Sequence, residues 1–317
     1  MTAVRSSTGY LGLGKQTLKG TGVEPTKFCR LNAAEGFEIV QDILEVRSLN
    51  GDEEMDAIYK VGNKPNGSFQ TLVRPDLGTA IMAWVLGADA VTTGTTHSHS
   101  ITRADTLPWI SIERELDNVE RVSDCKISQV VINGVAGQPL SMDVTYMGID
   151  STIVSSATET YETDEPFMFH DGVFTIHGAG NTNIKAFTLT INRNLEEIVT
   201  TSYKRNDIVE GAFSIDLNYS LVFQASDAIY PAVLYGASTA IVDTLYDGAF
   251  IADFDYGSAA TARQFKFTLP QMKVISAAKH LDPNTQAVTL ELASKAITGG
   301  SEIITVECVS GTSTDYA

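Results

Sequence analysis

The chain has 317 residues, 43% hydrophobic and 19% charged, with a formal net charge of −17. This length and composition suit about two globular domains with their own cores and exclude wholesale disorder. The charge excludes sequence-independent attachment to nucleic acid or anionic lipid, since both carry the same sign.

The three cysteines, Cys29, Cys125 and Cys308, are far apart and odd in number, which fits buried thiols in a reducing compartment. The longest apolar stretch, Ala80 to Ala88, is less than half a membrane span, and no apolar leader is evident near Met1. A soluble protein without a membrane partner is expected.

In chain order, the first motif is GYLGLGKQT, Gly9 to Thr17. It comes one residue short of a phosphate-binding loop, and Gln16 stands where the magnesium-ligating Ser or Thr belongs. The residues before it are too few and too polar for a buried feeding strand. Gly20, Gly22 and Pro25 would break the helix that must follow. An extended arm over residues 1–30 is predicted instead.

Short alternating segments follow: FEIVQDILEV, WISIEREL, CKISQVVI, LSMDVTYM, VFTIHG, IKAFTLTIN, FSIDLNYSLVF, FKFTLPQMKVI, AVTLELA and EIITVECV. They read as half-buried strands. Asn133-Gly134 is a hairpin signal, with Gly137 and Pro139 able to lengthen the loop. Only two segments read as helices. Residues 77–86 take Asp76 as N-cap and Gly87 as stop, with Leu77, Ile81, Trp84 and Val85 as the apolar stripe. Residues 226–235 take Ser226 or Asp227 as cap and Gly236 as stop, with Pro231 in the first turn. The Ser/Thr/Glu-rich stretch 149–166 reads as a connection. The predicted organisation is an arm (1–30), a β domain (31–150), a linker (151–166) and a second β domain (167–317).

Each predicted helix follows a Gly-small-Phe strand and ends at a glycine: GSFQTLV…AIMAWVLGAD against GAFSIDL…AIYPAVLYGAS. Val46 pairs with Ile191, Gly67 with Gly211, Gly87 with Gly236, Trp109 with Phe250 and Cys125 with Phe265, always in the same order. The reading is a tandem duplication of one β-rich unit carrying one helix. Chance alignment of two unrelated sandwiches is the alternative.

Residues with catalytic or metal-binding chemistry form no convincing constellation. His97 and His99 lie two apart but lack partners at zinc spacing, so a solvated loop is expected. His170, His177 and His280 have no nucleophile context. The carboxylates alternate with apolar residues, as on the wet face of a sheet. No enzyme activity, cofactor or metal is predicted. Many strand edges and no catalytic site favour edge-to-edge assembly, although packing within one chain could satisfy the same edges.

With these residues in view, the chain resembles the major tail tube protein of long-tailed bacteriophages in its two-domain form. The resemblance rests on Gly12-Leu13-Gly14-Lys15-Gln16, Gly20-Thr21 and Pro25-Thr26-Lys27-Phe28. It rests also on the GSF strand before LGTAIMAWVLGA, and on DGVFTIHG…NIKAFTLTINRNLE from Asp171 to Glu196. It covers nearly the whole chain. The resemblance implies a mainly β fold of two tandem β-sandwich or half-barrel domains. Each would carry one short α-helix, and the inner sheets would join an oligomeric β-barrel. It implies a structural virion protein, made in the host cytoplasm, whose rings stack into the tail tube through which DNA is ejected. The implied partners are the protein itself, the tape measure protein, and the tail terminator and distal tail proteins. Genomic double-stranded DNA would pass without specific binding.

On that reading, three chains would close a pseudo-sixfold ring. Glu38 and Asp42, and Glu113 and Glu115, are candidate lumen-facing acids because each pair shares a strand face. An outer, solvent-facing sheet is the alternative for each. Gly12, Gly14, Lys15, Pro25 and Phe28, with residues 150–166, are candidates for ring stacking, and removing residues 1–19 is expected to leave a folded chain unable to polymerise. The rival readings are a baseplate or capsid decoration protein and a carbohydrate-binding adhesin. The last needs an aromatic platform, yet Trp84 and Trp109 both sit in apolar patterns.

Overall fold

A computed structural model describes residues 9–47, 55, 57–224, 229–236, 240–279, 287–299 and 302–317. The first half opens with β1 (Leu11–Lys15), β2 (Lys27–Cys29), β3 (Glu38–Val46), β4 (Ala57–Leu72) and helix α1 (Pro75–Leu86). It continues with β5 (Gly87–Thr92), β6 (His97–Arg103), β7 (Ile110–Glu115), β8 (Val119–Val135), β9 (Ser141–Met147) and β10 (Asp150–Val154). The second half opens with β11 (Gly172–Ile176), β12 (Ala179–Asn181), β13 (Ile184–Asn192), β14 (Glu196–Val199) and β15 (Arg205–Val209). It continues with β16 (Ser214–Val222), helix α2 (Ile229–Tyr235), β17 (Asp247–Tyr256), β18 (Arg263–Lys279), β19 (Thr289–Ala296) and β20 (Thr305–Ser310). The fold is mainly β, as the alternating segments imply.

An inner sheet runs through both halves in the order β3–β4–β9–β8–β13–β16–β19–β18, antiparallel throughout. Strands β8 and β18, 17 residues each, are long enough to serve two layers. The first part of β8 pairs with β7 and β10, and β7 carries β1 and β2 beyond it. The first part of β18 pairs with β17 and β20, which carry β11–β12 and β6–β5. Both strands bend by bulging. Opposite β7, the register passes from Ile110–Cys125 to Ile112–Val122; opposite β17, it passes from Gly248–Met272 to Phe250–Leu269. Asp124 adopts φ 54° at the first bulge, and Pro270, which has no N–H to lose, lies in the second.

These parallels make the duplication a matter of strand pairing. Leu44–Tyr59 on the β3–β4 hairpin recurs as Glu196–Val209 on β14–β15, and Glu38–Asn66 recurs as Thr190–Asp216. Asn66–Met147 recurs as Asp216–Lys295, and Gln129–Thr145 recurs as Ser276–Ala293. The order of the repeat is the one read from the sequence, but its register is not. Cys125 occupies the place of Met272 rather than Phe265. Gly67 and Gly211 are not equivalent, because each is glycine for its own reason. A Cβ on Gly67 would lie 2.4 Å from the Tyr146 hydroxyl, and one on Gly211 would lie 2.1 Å from the Asn194 carbonyl oxygen.

Helix α1 lies between the layers with every residue except Asp76 buried, so the predicted stripe is surrounded on all sides. Its cap also differs from the expectation. Asp76 falls inside the first turn, and the carboxylate of Glu162, far along the chain, accepts the N–H groups of Asp76 and Leu77 at 2.8 and 3.0 Å. Gly87 stops the helix as predicted, at φ 99° with its N–H on the Ala83 carbonyl. The cap expected for α2 at Ser226 or Asp227 lies outside the described residues, as does His280. Asn133-Gly134 does not turn. Strand β8 runs through it, and the reversal comes later, around Gly137 at φ 82°. Gly134 is glycine because the Phe187 ring packs where its Cβ would be, 2.3 Å away.

Candidate assembly surface

Alternation gives the inner sheet two unlike faces. One carries Phe69, Val130, Ile132, Val144, Leu189 and Leu217 into the core. The other carries Gln70, Asp143, Asn133, Thr188 and Asn218. On this face Gln70 Nε2 donates to Asp143 Oδ1 at 2.7 Å, and Asn133 Nδ2 donates to Asp143 Oδ2 at 2.9 Å. Thr188 Oγ1 donates to Asn133 Oδ1 at 3.0 Å. The polar row therefore crosses β4, β9 and β8 of the first half and continues onto β13 of the second. Farther along, Thr188, Asn218, Ser220, Ser276, Ala278 and Glu291 line an open concavity of about 340 Å³.

The carboxylates on this face include Glu38, Asp143, Asp216 and Glu291. Its lysines sit beside aspartates: Lys273 is 2.7 Å from Asp247, and Lys295 is 3.4 Å from Asp216. The sequence reading named Glu38 as a lumen candidate and placed Asp143 only among wet-face carboxylates; it did not single out Asp216 and Glu291, although the alternation in SIDLNYSLV and AVTLELA carries the signal. Asp42 forms an ion pair with Lys64 at 2.8 Å, just before the β3–β4 register slips. The bonds to Asp42 and to Glu197 raise the Lys64 pKa.

The other candidate acids lie elsewhere. Glu113 is wholly buried on β7, ion-paired with Arg121 and 3.2 Å from the Tyr10 hydroxyl. Buried beneath its bonds to Tyr10 and Arg121, it cannot share an open face with Glu115. The arm residues are likewise part of the fold. Strand β1 lies between β2 and β7 with Leu11 and Leu13 buried. A Cβ on Gly12 would lie 2.5 Å from Cβ of Pro25, and one on Gly14 would lie 2.6 Å from the Glu24 carbonyl oxygen. The glycines make room for the returning chain. Phe28 is buried between Tyr10 and Tyr161, with ring centroids 5.3 and 6.0 Å away, and Lys15 Nζ bonds the Ala317 carbonyl. Gln16 receives the Asp124 N–H at 2.9 Å and donates to the Thr21 carbonyl at 2.7 Å, a two-way role that a carboxylate could not fill. Removing residues 1–19 would strip β1 from its sheet, so the chain is not expected to fold unharmed. Glycine-rich strands read as loops, and that is why the sequence misleads here.

The connecting segment is similarly held down. Strand β10 pairs with β8, Glu162 caps α1, and Asp164 meets Arg263 at 2.6 Å. Burial raises the Glu162 pKa, against the two N–H bonds it accepts. His97 and His99 stand on β6, not in a solvated loop. His99 is buried with Nδ1 3.0 Å from Asp89, Nε2 3.0 Å from the Thr312 carbonyl, and its ring stacked on Tyr316. Burial lowers its pKa, but the bonds to Asp89 and Thr312 outweigh that and leave it raised.

The edges of the inner sheet complete the surface. Among the described residues, β3 pairs only with β4, and β18 beyond Val274 pairs only with β19. Large apolar side chains stand exposed on the outer β3–β4 hairpin: Ile43, Leu44, Ile58 and Tyr59. No described helix is long and apolar enough to cross a membrane. No curated protein matches the chain. A family of proteins described as phage tail tube protein matches residues 6–309. A mainly β chain with one polar sheet face and unpaired sheet ends fits that match over nearly its whole length, and the protein belongs to the phage tail tube family, a structural component of the virion tail.

Proposed function

We propose that the inner sheet is one third of a ring wall whose polar face lines the lumen of a long-tailed phage's tail tube. The observation that carries this is the continuity of that face across both halves, while the strands at its two ends keep an edge unpaired among the described residues. An open edge is a template for further pairing, and closing the sheet into a barrel removes it. The inner-sheet strands of the two halves repeat in the same order and pairing, so three chains would present six near-equivalent sectors. The contact between chains is heterologous and closes by rotation, while stacking of rings repeats without closing.

The chemistry of the face suits passage rather than capture. Its lysines are matched by neighbouring aspartates, and Glu38, Asp143 and Glu291 repel phosphate, so double-stranded DNA slides past without being held. The same lumen would hold the tape measure protein before ejection, and the tail terminator and distal tail proteins would cap the two ends. Electron microscopy of the concentrated protein tests the reading. Hollow polymers of constant diameter with three chains per ring are expected, and six full chains per ring would overturn the trimer.

A further inference from the structure

We propose that neighbouring chains join edge to edge, β18 of one against β3 of the next, in the register that β8 and β13 already use inside a single chain. This rests on the ring reading and specifies its seam.

The internal joint supplies the template. Beyond its second bulge, β8 pairs with β9 on one side and with β13 on the other. Strand β18, its counterpart, bulges between Val274 and Ser276 where β8 bulges between Ile127 and Gln129, and then, among the described residues, pairs with β19 alone. Strand β13 pairs with β16 and β8; among the described residues its counterpart β3 pairs with β4 alone. Two pairings made inside the chain therefore each lack one partner at its ends, and the missing partners are complementary.

The register follows from equivalent residues. Asn192, opposite Gln129 in the internal joint, corresponds to Val40, and Gln129 corresponds to Ser276. Val40 of one chain should therefore face Ser276 of the next, and Glu38 should face Ala278. In the internal joint the Arg193 N–H bonds the Ser128 carbonyl at 2.9 Å, which makes Asn192–Gln129 a non-hydrogen-bonded pair with close side chains. By the same alternation, Gln41 and Ile39 would exchange backbone hydrogen bonds with Ile275 and Ala277. The open stretch ends at Phe37, whose N–H and C=O are already taken by Glu35 and Arg114.

A second contact comes with the first. The hairpin β14–β15 sits on the first half of its own chain. There Arg205 Nη1 bonds the carbonyls of Pro65 and Gly148 at 3.2 and 2.7 Å, and Lys204 meets Asp150 at 2.6 Å. The equivalent hairpin is the outer part of β3–β4, which exposes Ile43, Leu44, Ile58 and Tyr59 and has no such seat in its own chain among the described residues. The second half of the next chain would cover it.

Cysteine crosslinking reads the register directly, because the native Cys29, Cys125 and Cys308 are buried and give little background. Chains carrying Val40→Cys are mixed with chains carrying Ser276→Cys, assembled and oxidised mildly. Facing non-hydrogen-bonded residues bring Cβ atoms within disulfide reach. The mixture should yield disulfide dimers at least tenfold above the off-register mixture of Glu38→Cys with Ser276→Cys. The mixture of Glu38→Cys with Ala278→Cys, also in register, should crosslink as well and stands in should either first variant misfold. Rings that assemble but crosslink no better in register than out of it would refute this seam and leave the ring intact. Chains that never form rings would remove the ring reading, and the seam with it.

Discussion

Helices α1 and α2 occupy the same place in the two repeats, yet their surroundings differ. In α1 every residue but Asp76 is buried beneath strands from both halves, whereas in α2 only Val233 is buried. Strand β20 of the second half pairs onto β6, which follows α1, whereas among the described residues no strand stands between α2 and β17. A duplicated unit placed twice in one chain meets one neighbour instead of two. On the proposed ring reading, the next copy would cover this half-covered helix.

Truncation gives the largest expected contrast. Trp84→Ala in the unassembled chain should cost about 3–5 kcal/mol through lost burial and a residual cavity. Leu234→Ala on the partly covered α2 should cost less than about 1 kcal/mol. Denaturant titration of both variants measures the difference, and equal losses would break the comparison. After assembly, hydrogen exchange should slow in α2 and hardly change in α1.

The cap is next in size. Glu162→Ala leaves the N–H groups of Asp76 and Leu77 without their carboxylate and should cost about 1–2 kcal/mol. Faster exchange confined to the first turn of α1 would accompany it; unchanged exchange there would mean that the cap contributes nothing. The second helix has no counterpart to this variant among the described residues.

The smallest effects are those of pH, and they oppose one another. His99 has a folded pKa raised above 6.5, so its stabilisation is complete below 6.5 and is lost as pH rises through the raised value. His177, in the second half, is lowered by burial. Its stabilisation is present above 6.5 and is lost as pH falls through the lowered value. Across this window the Tm advantage of the wild type over His99→Gln should shrink as pH rises, and its advantage over His177→Gln should grow. Parallel pH profiles for the two variants would contradict the opposed environments.

Local features of the chain carried much of this architecture. Alternation in LSMDVTYM, IKAFTLTIN and AVTLELA marked strands, Gly87 marked the end of α1, and the order of the segments marked the duplication. Polar residues at every second position even held the inner face, although Asp143 was read only as a wet-face carboxylate and Asp216 was not singled out. The register of the repeat, the place of β1 in a sheet, the continuation of β8 through Gly134 and the cap from Glu162 were settled only in three dimensions. Each depends on a close approach between residues far apart in the chain: Phe187 over Gly134, Pro25 over Gly12, Glu162 at the start of α1. Spacing along a sequence records how a segment can fold by itself; it does not record which distant segment will lie against it.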